Sequence, residues 1–183
     1  MANLAGAATR IGNVNQRAAD LHWLAYLLTG DRVASIEIAS ATFEGDDGAI
    51  SFFSNWMERW SRRVAIARAT STLRKELAES AGRVESMRAE WRALPGRAWV
   101  LDENTTKLEL EHALLTIDVF PRAAVLLLIF ERMALEDAAV LLDAAPSLVR
   151  KAHAIGVREL TVNLAHLQGW RSSSVLMVEL QHA

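Results

Sequence analysis

The sequence predicts an all-α fold made of two small helical domains, and three observations support this. Apolar residues recur at helical spacing along most of the chain. The alternation of strands and helices that marks nucleotide-binding α/β folds is absent, as are Gly-rich phosphate loops. One stretch, "LPGRAWVLDENTTK", contains Pro95 and Gly96 and interrupts the helical pattern as a linker does. We therefore expect a first domain over residues 1–93, a linker over 94–104 and a second domain over 105–183.

The first domain contains three predicted helices. Residues 13–29 form the first, which "TGDR" ends, and residues 33–43 form the second. The stretch "EGDDG" at 44–48 is a predicted loop. A single long helix is then expected from about residue 49 to about residue 92.

The second domain is expected to be helical as well. We predict helices over 105–118, 121–132, 135–142 and 146–167. Pro121 and Pro146 both suit a first helical turn, where the missing N–H costs nothing. The tail "SSSVLMVEL" fits either a strand or a helix.

The composition is that of a folded chain, because 51% of its 183 residues are hydrophobic and only three are proline. There is no cysteine, which excludes disulfides and thiolate metal sites and suits a reducing compartment. The start, "MANLAGAATRIG", lacks a signal-peptide pattern. The longest apolar run, Ala123 to Phe130, is far shorter than the ~20 residues that span a bilayer. We expect a soluble, cytoplasmic protein with no membrane partner.

Helices 135–142 and 146–167, joined by a turn over Asp143 to Ala145, are typical of a helix-turn-helix. In the DNA-binding version, the outer face of the second helix enters the major groove. The positions expected to face inward are Val149, Ala152, Gly156 and Leu160. Those expected to face outward are Ser147, Arg150, Lys151 and Ala154. An ordinary helical hairpin in a bundle is the alternative interpretation.

Charge argues against strong duplex binding by this motif. The net charge of the chain is −2; residues 1–100 contain 13 Lys+Arg and 11 Asp+Glu, and residues 101–183 contain 7 and 11. The helix-turn-helix therefore lies in a half of net charge −4, and only Arg150 and Lys151 are basic on its outer face. Because phosphate neutralisation supplies much of DNA affinity, this domain alone should bind duplex DNA poorly.

A basic stretch, "RWSRRVAIARATSTLRK" at 59–75, contains six basic residues and no acidic one. Phe53, Trp56, Trp60, Val64 and Ala67 fall on one stripe of the predicted helix. Arg59, Arg62, Arg63 and Arg74 lie beside that stripe. Basic side chains next to aromatic ones suit single-stranded nucleic acid, whose bases stack and whose phosphates pair. The alternative is a core stripe with a solvated basic flank, which we favour for the Trp and Phe residues taken alone.

The sequence does not predict an enzyme, a cofactor or a small-molecule substrate. Glu109 and His112 share one helix face, as in the Glu-x-x-His pairs of di-iron bundles, but those bundles use two such pairs and two further Glu. With one copy, a surface pair is the favoured interpretation, and no metal site is expected. The other histidines show no ligand spacing.

Three ordered segments resemble bacterial sigma factors of the extracytoplasmic-function group. "LAYLLTGDRVASIEIASATF" (24–43) is similar to their polymerase-binding helices, with Gly-Asp and then a helix that ends in Thr-Phe. Trp60, Arg63, Val64, Ala65 and Arg74 match the promoter-melting stretch. "FPRAAVLLLIFERMALEDAAVLLDAAPSLVRKAHAIGVREL" (120–160) resembles the C-terminal domain with its helix-turn-helix. The resemblance covers most of the chain.

The resemblance implies a protein that binds core RNA polymerase and directs it to promoter DNA, with an anti-sigma factor as a possible further partner. Asp31 and Glu37 are the implied polymerase-binding residues. The candidate DNA-binding residues are Trp60, Arg62, Arg63 and Arg74 in the melting helix and Ser147, Arg150 and Lys151 in the recognition helix.

The departures from the family pattern leave three functions open. Glu37 is the only acidic residue in the second helix, which is usually acidic in the family. Where the family commonly has Asn and Asp in the melting helix, this chain has Ala67 and Ser71. In the recognition helix, Ala145 replaces the capping Ser, and Ala152 and Ile155 replace two Arg. A missing N-cap costs ~1 kcal/mol. The preferred hypothesis is a divergent sigma factor. The second is a sigma-like regulator or anti-sigma decoy that binds protein, and the third is a helical interaction module unrelated to transcription.

Overall fold

Each described part of the chain consists of helices, and short turns join the helices within it. The computed structural model describes residues 2–43, 54–87 and 105–167. The helices are α1 (Ala2–Thr29), α2 (Arg32–Phe43), α3 (Ser54–Thr72), α4 (Arg74–Ser86), α5 (Lys107–Leu115), α6 (Val119–Val125) with a π-helical continuation at Leu126–Phe130, α7 (Leu135–Leu141) and α8 (Pro146–Leu167). These three ranges contain no strand, so the predicted all-α class is confirmed. No helix within them is long and apolar enough to cross a membrane.

The turn between α1 and α2 follows from two adjacent residues. Gly30 has φ +70, a left-handed conformation that glycine adopts without strain, and its N–H donates to the Tyr26 carbonyl at 2.7 Å. Asp31 then caps α2, since its Oδ1 accepts from the Val33 N–H at 2.7 Å and from the Ala34 N–H at 3.2 Å. The predicted helix break at "TGDR" is confirmed.

The single helix predicted over 49–92 is wrong within its described part, because it is broken at Leu73 into α3 and α4. The sequence there contains no Pro or Gly. The hydroxyl of Thr70 instead donates to the Ile66 carbonyl at 3.0 Å, and that of Thr72 to the Arg68 carbonyl at 3.0 Å. Such back-bonding by Thr weakens and bends a helix.

The helices of the second half begin with local caps. Thr106 and Glu109 form a reciprocal capping box at the start of α5. Asp118 accepts from the Val119 N–H at 2.9 Å at the start of α6. Pro121 lies in the first turn of α6 and Pro146 is the first residue of α8, as predicted. The helix expected over 121–132 instead starts at Val119 and ends in the π-helical segment.

The two halves of the chain pack against each other. The α4 helix contacts α6 and α8, and α1 contacts α5 and α6. The buried apolar side chains form one cluster with members from both halves, among them Leu28, Ile66, Phe120 and Leu160. The predicted linker and the tail after residue 167 lie outside the described residues. The division into two domains stays a prediction.

One glycine lets α8 approach α6 closely. A Cβ built on Gly156 would lie 2.6 Å from Cγ2 of Val125 and 2.7 Å from the Pro121 carbonyl oxygen. Because the second neighbour is backbone, the clash cannot be relieved by a side-chain rotation. In α4, by contrast, a Cβ on Gly82 would meet nothing within 4 Å.

We predict opposite effects of alanine at these two helical glycines. Gly156→Ala should lower the free energy of unfolding by about 1–3 kcal/mol through overpacking. Gly82→Ala should raise it by about 0.5–1 kcal/mol, because alanine is the better helix former and has room here. Urea unfolding followed by circular dichroism measures both. Equal effects at the two sites would contradict the close α6–α8 contact.

Candidate nucleic-acid interface

Two tryptophans of α3 face the solvent. Trp56 is 60% exposed and Trp60 is 42% exposed, and their rings stack with centroids 6.5 Å apart at 16°. The buried face of α3 is the opposite one, with Ala65, Ile66 and Ala69 fully buried. The core interpretation of the aromatic stripe is therefore wrong for the two tryptophans. Phe53 lies outside the described residues.

In the sequence, a row of small residues marks the face of α3 that is buried in the core. Ser61, Ala65 and Ala69 recur every fourth position and bring the α3 backbone close to α1 and α2. Both this row and the aromatic stripe have helical spacing. Only the contact with neighbouring helices decides between them.

Among the candidate arginines of α3, Arg62 is already bonded. Its Nε lies 2.9 Å from Oε2 of Glu131, and its Nη2 pairs with the other carboxylate oxygen, so the pair is bidentate. The hydrogen bond that Arg62 donates to Glu131 raises the pKa of Arg62 above its ordinary value, although desolvation opposes this. The Glu131 side chain is only 8% exposed.

The other candidate basic side chains of this stretch are more exposed and less tightly bonded within the chain than Arg62. Arg63 is exposed, 3.8 Å from a carboxylate oxygen of Asp137, a separation and exposure at which an ion pair contributes little. Arg59 and Arg74 are exposed. Arg74 lines a groove of about 390 Å³ whose other wall includes Val140 and Asp143 from the end of α7 and the turn after it. Together with the tryptophans, the two exposed arginines beside them on α3 form what we call the α3 surface: Trp56, Arg59, Trp60 and Arg63.

A short turn at residues 142–145 joins α7 and α8. Asp143 adopts φ +50, as expected of an Asp in this turn. The Ala144 N–H donates to the Ala139 carbonyl at 3.1 Å and the Asp143 N–H to the Val140 carbonyl at 3.3 Å, the pattern of a Schellman motif. All four positions predicted to face inward on α8 are buried: Val149, Ala152, Gly156 and Leu160.

The outer face of α8 differs from the prediction at one residue. Ser147, Arg150 and Ala154 are exposed, as expected. Lys151 is half-buried, and its Nζ donates to the Glu85 carbonyl at 3.1 Å and to the Met87 carbonyl at 2.6 Å. These carbonyls lie at the C-terminal end of α4, where the helix dipole favours a cation. Lys151 is thus not free on the recognition face, which leaves Arg150 as its exposed basic residue.

The two residues implied in polymerase binding have different surroundings. The carboxylate of Asp31 is bonded to the first turn of α2. Glu37 is exposed, and beside it are Val33 and Ile36, which are 67% and 55% exposed. This exposed apolar part of α2 was not predicted from the sequence. The opposite face of α2 is buried at Ser35, Ile38 and Ala39. Val33 and Ile36 therefore point outward.

The Glu109 and His112 pair gives no metal site in the described residues, which contain no group of three potential ligands. The carboxylate of Glu109 serves the α5 cap instead. Hydrogen bonds from the backbone N–H and then the hydroxyl of Thr106 lower the pKa of Glu109. The surface-pair interpretation is consistent with these contacts.

No protein-family model matches the chain, and no curated protein matches it. Among solved structures, the chain resembles the co-crystal structure of the sigma factor RpoE in complex with the anti-sigma factor NepR from Bartonella quintana. The two chains are 17% identical, the likeness covers 84% of this chain and 94% of that chain, and the TM-score is 0.47. At this identity and TM-score, the likeness assigns neither a function nor a partner to this chain.

Alanine at two adjacent arginines should have unequal effects on stability. Arg62→Ala leaves the largely buried carboxylate of Glu131 without its bidentate partner, and should lower the free energy of unfolding by about 1–3 kcal/mol. Arg63→Ala removes an exposed, long ion pair and should change it by less than about 0.5 kcal/mol. Chemical denaturation of both variants tests the difference. A similar loss in both would mean that the Arg62–Glu131 pair is not formed in solution.

Proposed function

We propose that this protein is a divergent sigma factor of the extracytoplasmic-function group, which directs core RNA polymerase to promoter DNA in the cytoplasm and is not an enzyme. The observation that carries the proposal is the α7–α8 unit. Its Schellman turn at Asp143 and its buried inner face orient α8 as a recognition helix, with Ser147 and Arg150 outward. This unit lies where the sequence resembles the DNA-reading domain of that group.

The α3 surface supports a role in holding single-stranded promoter DNA. A contiguous exposed apolar patch marks an interaction site more often than a single exposed side chain does, and the two adjacent indole rings form such a patch. The two stacked tryptophans offer faces on which bases can stack, and Arg59 and Arg63 beside them can pair with phosphates. This combination binds a single strand with little regard for its sequence.

The exposed face of α2 supports a polymerase contact. Val33 and Ile36 offer an apolar centre, and Glu37 lies beside them as a charged rim residue. Protein interfaces have this anatomy, with an apolar core inside a polar rim. The Asp31 cap fixes the start of the helix that presents these side chains.

The proposed mechanism depends on polymerase for affinity. The second half has a net charge of −4, and Lys151 is bonded to α4, so α8 has few free cations for phosphate. When α2 is bound to polymerase, α8 is held near the upstream DNA. The resulting effective concentration compensates for its weak intrinsic affinity.

A second candidate function is a sigma-like regulator that binds protein, for example a decoy for an anti-sigma factor. The observation that favours it is that Arg62 and Lys151 are bonded within the chain itself. A protein that retains the sigma scaffold but has lost DNA contacts would still present α2 to a protein partner.

The two candidates are separated by a gel-shift experiment. Purified protein is incubated with a pool of promoter fragments, with and without core RNA polymerase. We expect a shift by the protein only when polymerase is present. No shift in either case, combined with capture of an anti-sigma factor, would favour the decoy and overturn the sigma-factor proposal.

Replacing the exposed tryptophans should weaken the contact with single-stranded DNA. Stacking contributes about 1–3 kcal/mol per base, so Trp56→Ala with Trp60→Ala should reduce crosslinking to a single-stranded promoter segment by about tenfold or more in the polymerase complex. Leu108→Ala is the control, because Leu108 is also exposed but lies on α5. Unchanged crosslinking would show that the two tryptophans do not contact the single-stranded DNA.

The polymerase contact is tested separately on α2. Ile36→Asp places a charge in the proposed apolar centre and should weaken binding to core polymerase by about tenfold or more. Leu108→Asp adds the same charge at an exposed position on α5 and should have no effect. Surface plasmon resonance with immobilised polymerase measures both, and equal binding by the two variants would place the polymerase contact elsewhere.

A further inference from the structure

The outward face of α8 extends beyond Ser147, Arg150 and Ala154. Arg158, one turn after Ala154, is exposed as well. At about 100° per residue, these four positions fall within an arc of about 80° on the helix. We call them the α8 stripe. Arg158 adds a second exposed cation to the face that is proposed to read DNA.

The two arginines of the α8 stripe have no acidic partner within the described ranges. Neither Arg150 nor Arg158 forms a salt bridge there. Glu159 follows Arg158 in sequence, but it is half-buried on the adjacent face of the helix. Lys151, at the edge of the stripe, is bonded to α4. The stripe therefore offers two guanidinium groups to acceptors outside the chain.

Between the two arginines, the stripe carries only a methyl group. Ala154 is exposed, and its side chain can neither donate nor accept a hydrogen bond. Ala152 and Ile155, which flank it, are buried at 0% and 6% exposure and make no outward contact. The order along this part of the stripe is therefore guanidinium, methyl, guanidinium.

The spacing of these three side chains gives them different places on a duplex. At a rise of about 1.5 Å per residue, Ala154 lies about 6 Å and Arg158 about 12 Å beyond Arg150 along the helix. Base pairs are about 3.4 Å apart, so Arg150 and Ala154 reach positions about two base pairs apart. The N-terminal residues of a recognition helix face the base edges. A side chain about 12 Å further on, a full width of the major groove, lies at the phosphates that border it.

The chemistry of the major groove then gives each side chain one partner. A guanidinium donates two hydrogen bonds to O6 and N7 of guanine, the commonest specific contact with a base. A methyl group has its apolar counterpart in the C5-methyl group of thymine. A cation at the edge of the groove pairs with phosphate, which positions the helix and carries no sequence information.

We infer that α8 reads a guanine with Arg150 and, about two base pairs away, a thymine with the methyl group of Ala154, while Arg158 holds a phosphate at the edge of the groove. The inference rests on the proposed function, for which it names the duplex that α8 binds. Two base contacts and one phosphate contact are few. This agrees with a helix that needs polymerase to hold it near DNA.

Selection from random duplexes measures these base preferences directly. The probe is a duplex library randomised over its upstream part and bound to the complex of this protein with core polymerase. Sequences bound by polymerase alone are the background. We expect enrichment of a guanine and a thymine about two base pairs apart. An enriched sequence that lacks this pair would overturn the inference.

Uracil tests the methyl contact on the enriched duplex. It differs from thymine only by lacking the C5-methyl group, so the substitution should weaken binding about fourfold, the effect of one buried methyl group. The loss should disappear in Ala154→Gly, which has no methyl group to contact. Equal binding of the thymine and uracil duplexes by the unmodified protein would overturn the contact.

Two substitutions should change the base preference instead of removing it. Ala154→Asn introduces an amide that pairs with adenine and should exchange thymine for adenine at that position, by about tenfold. Arg150→Gln should exchange guanine for adenine in the same way. Val162→Asn is the matched control, because Val162 is exposed on α8 one turn beyond Arg158 and should leave both preferences unchanged. Only a folded protein can gain a preference, so misfolding cannot imitate this result.

Salt dependence tests the phosphate contact. Arg158→Gln should weaken binding to all duplexes alike and reduce the slope of log affinity against log salt by about 1 in the polymerase complex. Arg132→Gln removes an exposed arginine outside α8 and should leave the slope unchanged. Fluorescence anisotropy of the labelled duplex measures both. An unchanged slope in Arg158→Gln, or a changed preference at one base pair, would overturn the role of Arg158.

The inference and the proposed function fail in different measurements. If the complex enriches a sequence over polymerase alone, but Ala154→Asn and Arg150→Gln keep the preferences of the unmodified protein, α8 does not read these bases. The inference is then overturned and the proposed function stands. If the unmodified protein adds no enrichment to that of polymerase alone, the proposed function fails and the inference fails with it.

Discussion

The buried guanidinium of Arg122 is the interaction that relates the two halves of this protein. The residue is only 7% exposed, yet its two Nη nitrogens donate to carbonyl oxygens of Leu28, Leu115 and Ile117, while its buried Nε has no hydrogen-bond partner among the described residues. Burial lowers the pKa of Arg122, and the charge of Asp118 opposes this. A buried cation is tolerated only where acceptors surround it, and the carbonyls at the ends of α1 and α5 supply them along with favourable helix dipoles. The ends of α1 and α5 are thereby fixed against α6.

The features that sequence reasoning predicted are those with local signals. Gly30 and Asp31 end one helix and start the next, and the α7–α8 turn is specified by Asp143 and Pro146 within a few residues of one another. The inward positions of α8 follow from small and apolar residues at helical spacing. Such signals need no knowledge of the rest of the fold.

The features that were missed depend on partners distant in sequence. Which of two helical stripes of α3 is buried is decided by α1 and α2, and the pairing of Arg62 with Glu131 joins residues 69 positions apart. The break at Leu73 follows two Thr hydroxyls that bond backwards and weaken the helix, a weak signal beside a strong helical pattern. The acidity of the second half suggested poor DNA binding. The structure adds that part of this charge is complementary to the first half of the same chain.

The π-helical segment decides where the chain can lose a residue without changing the contact between the halves. The Glu131 N–H donates to the Leu126 carbonyl, five residues back, so this turn holds one residue more than an α-helical turn does. Loss of a single residue between Leu126 and Phe130 would turn this hydrogen bond into a regular α-helical one, four residues back, and leave Glu131 pointing toward Arg62. Loss of a residue from the regular turns of α6 would instead rotate everything that follows by about 100° and take Glu131 away from α3, without altering any charge.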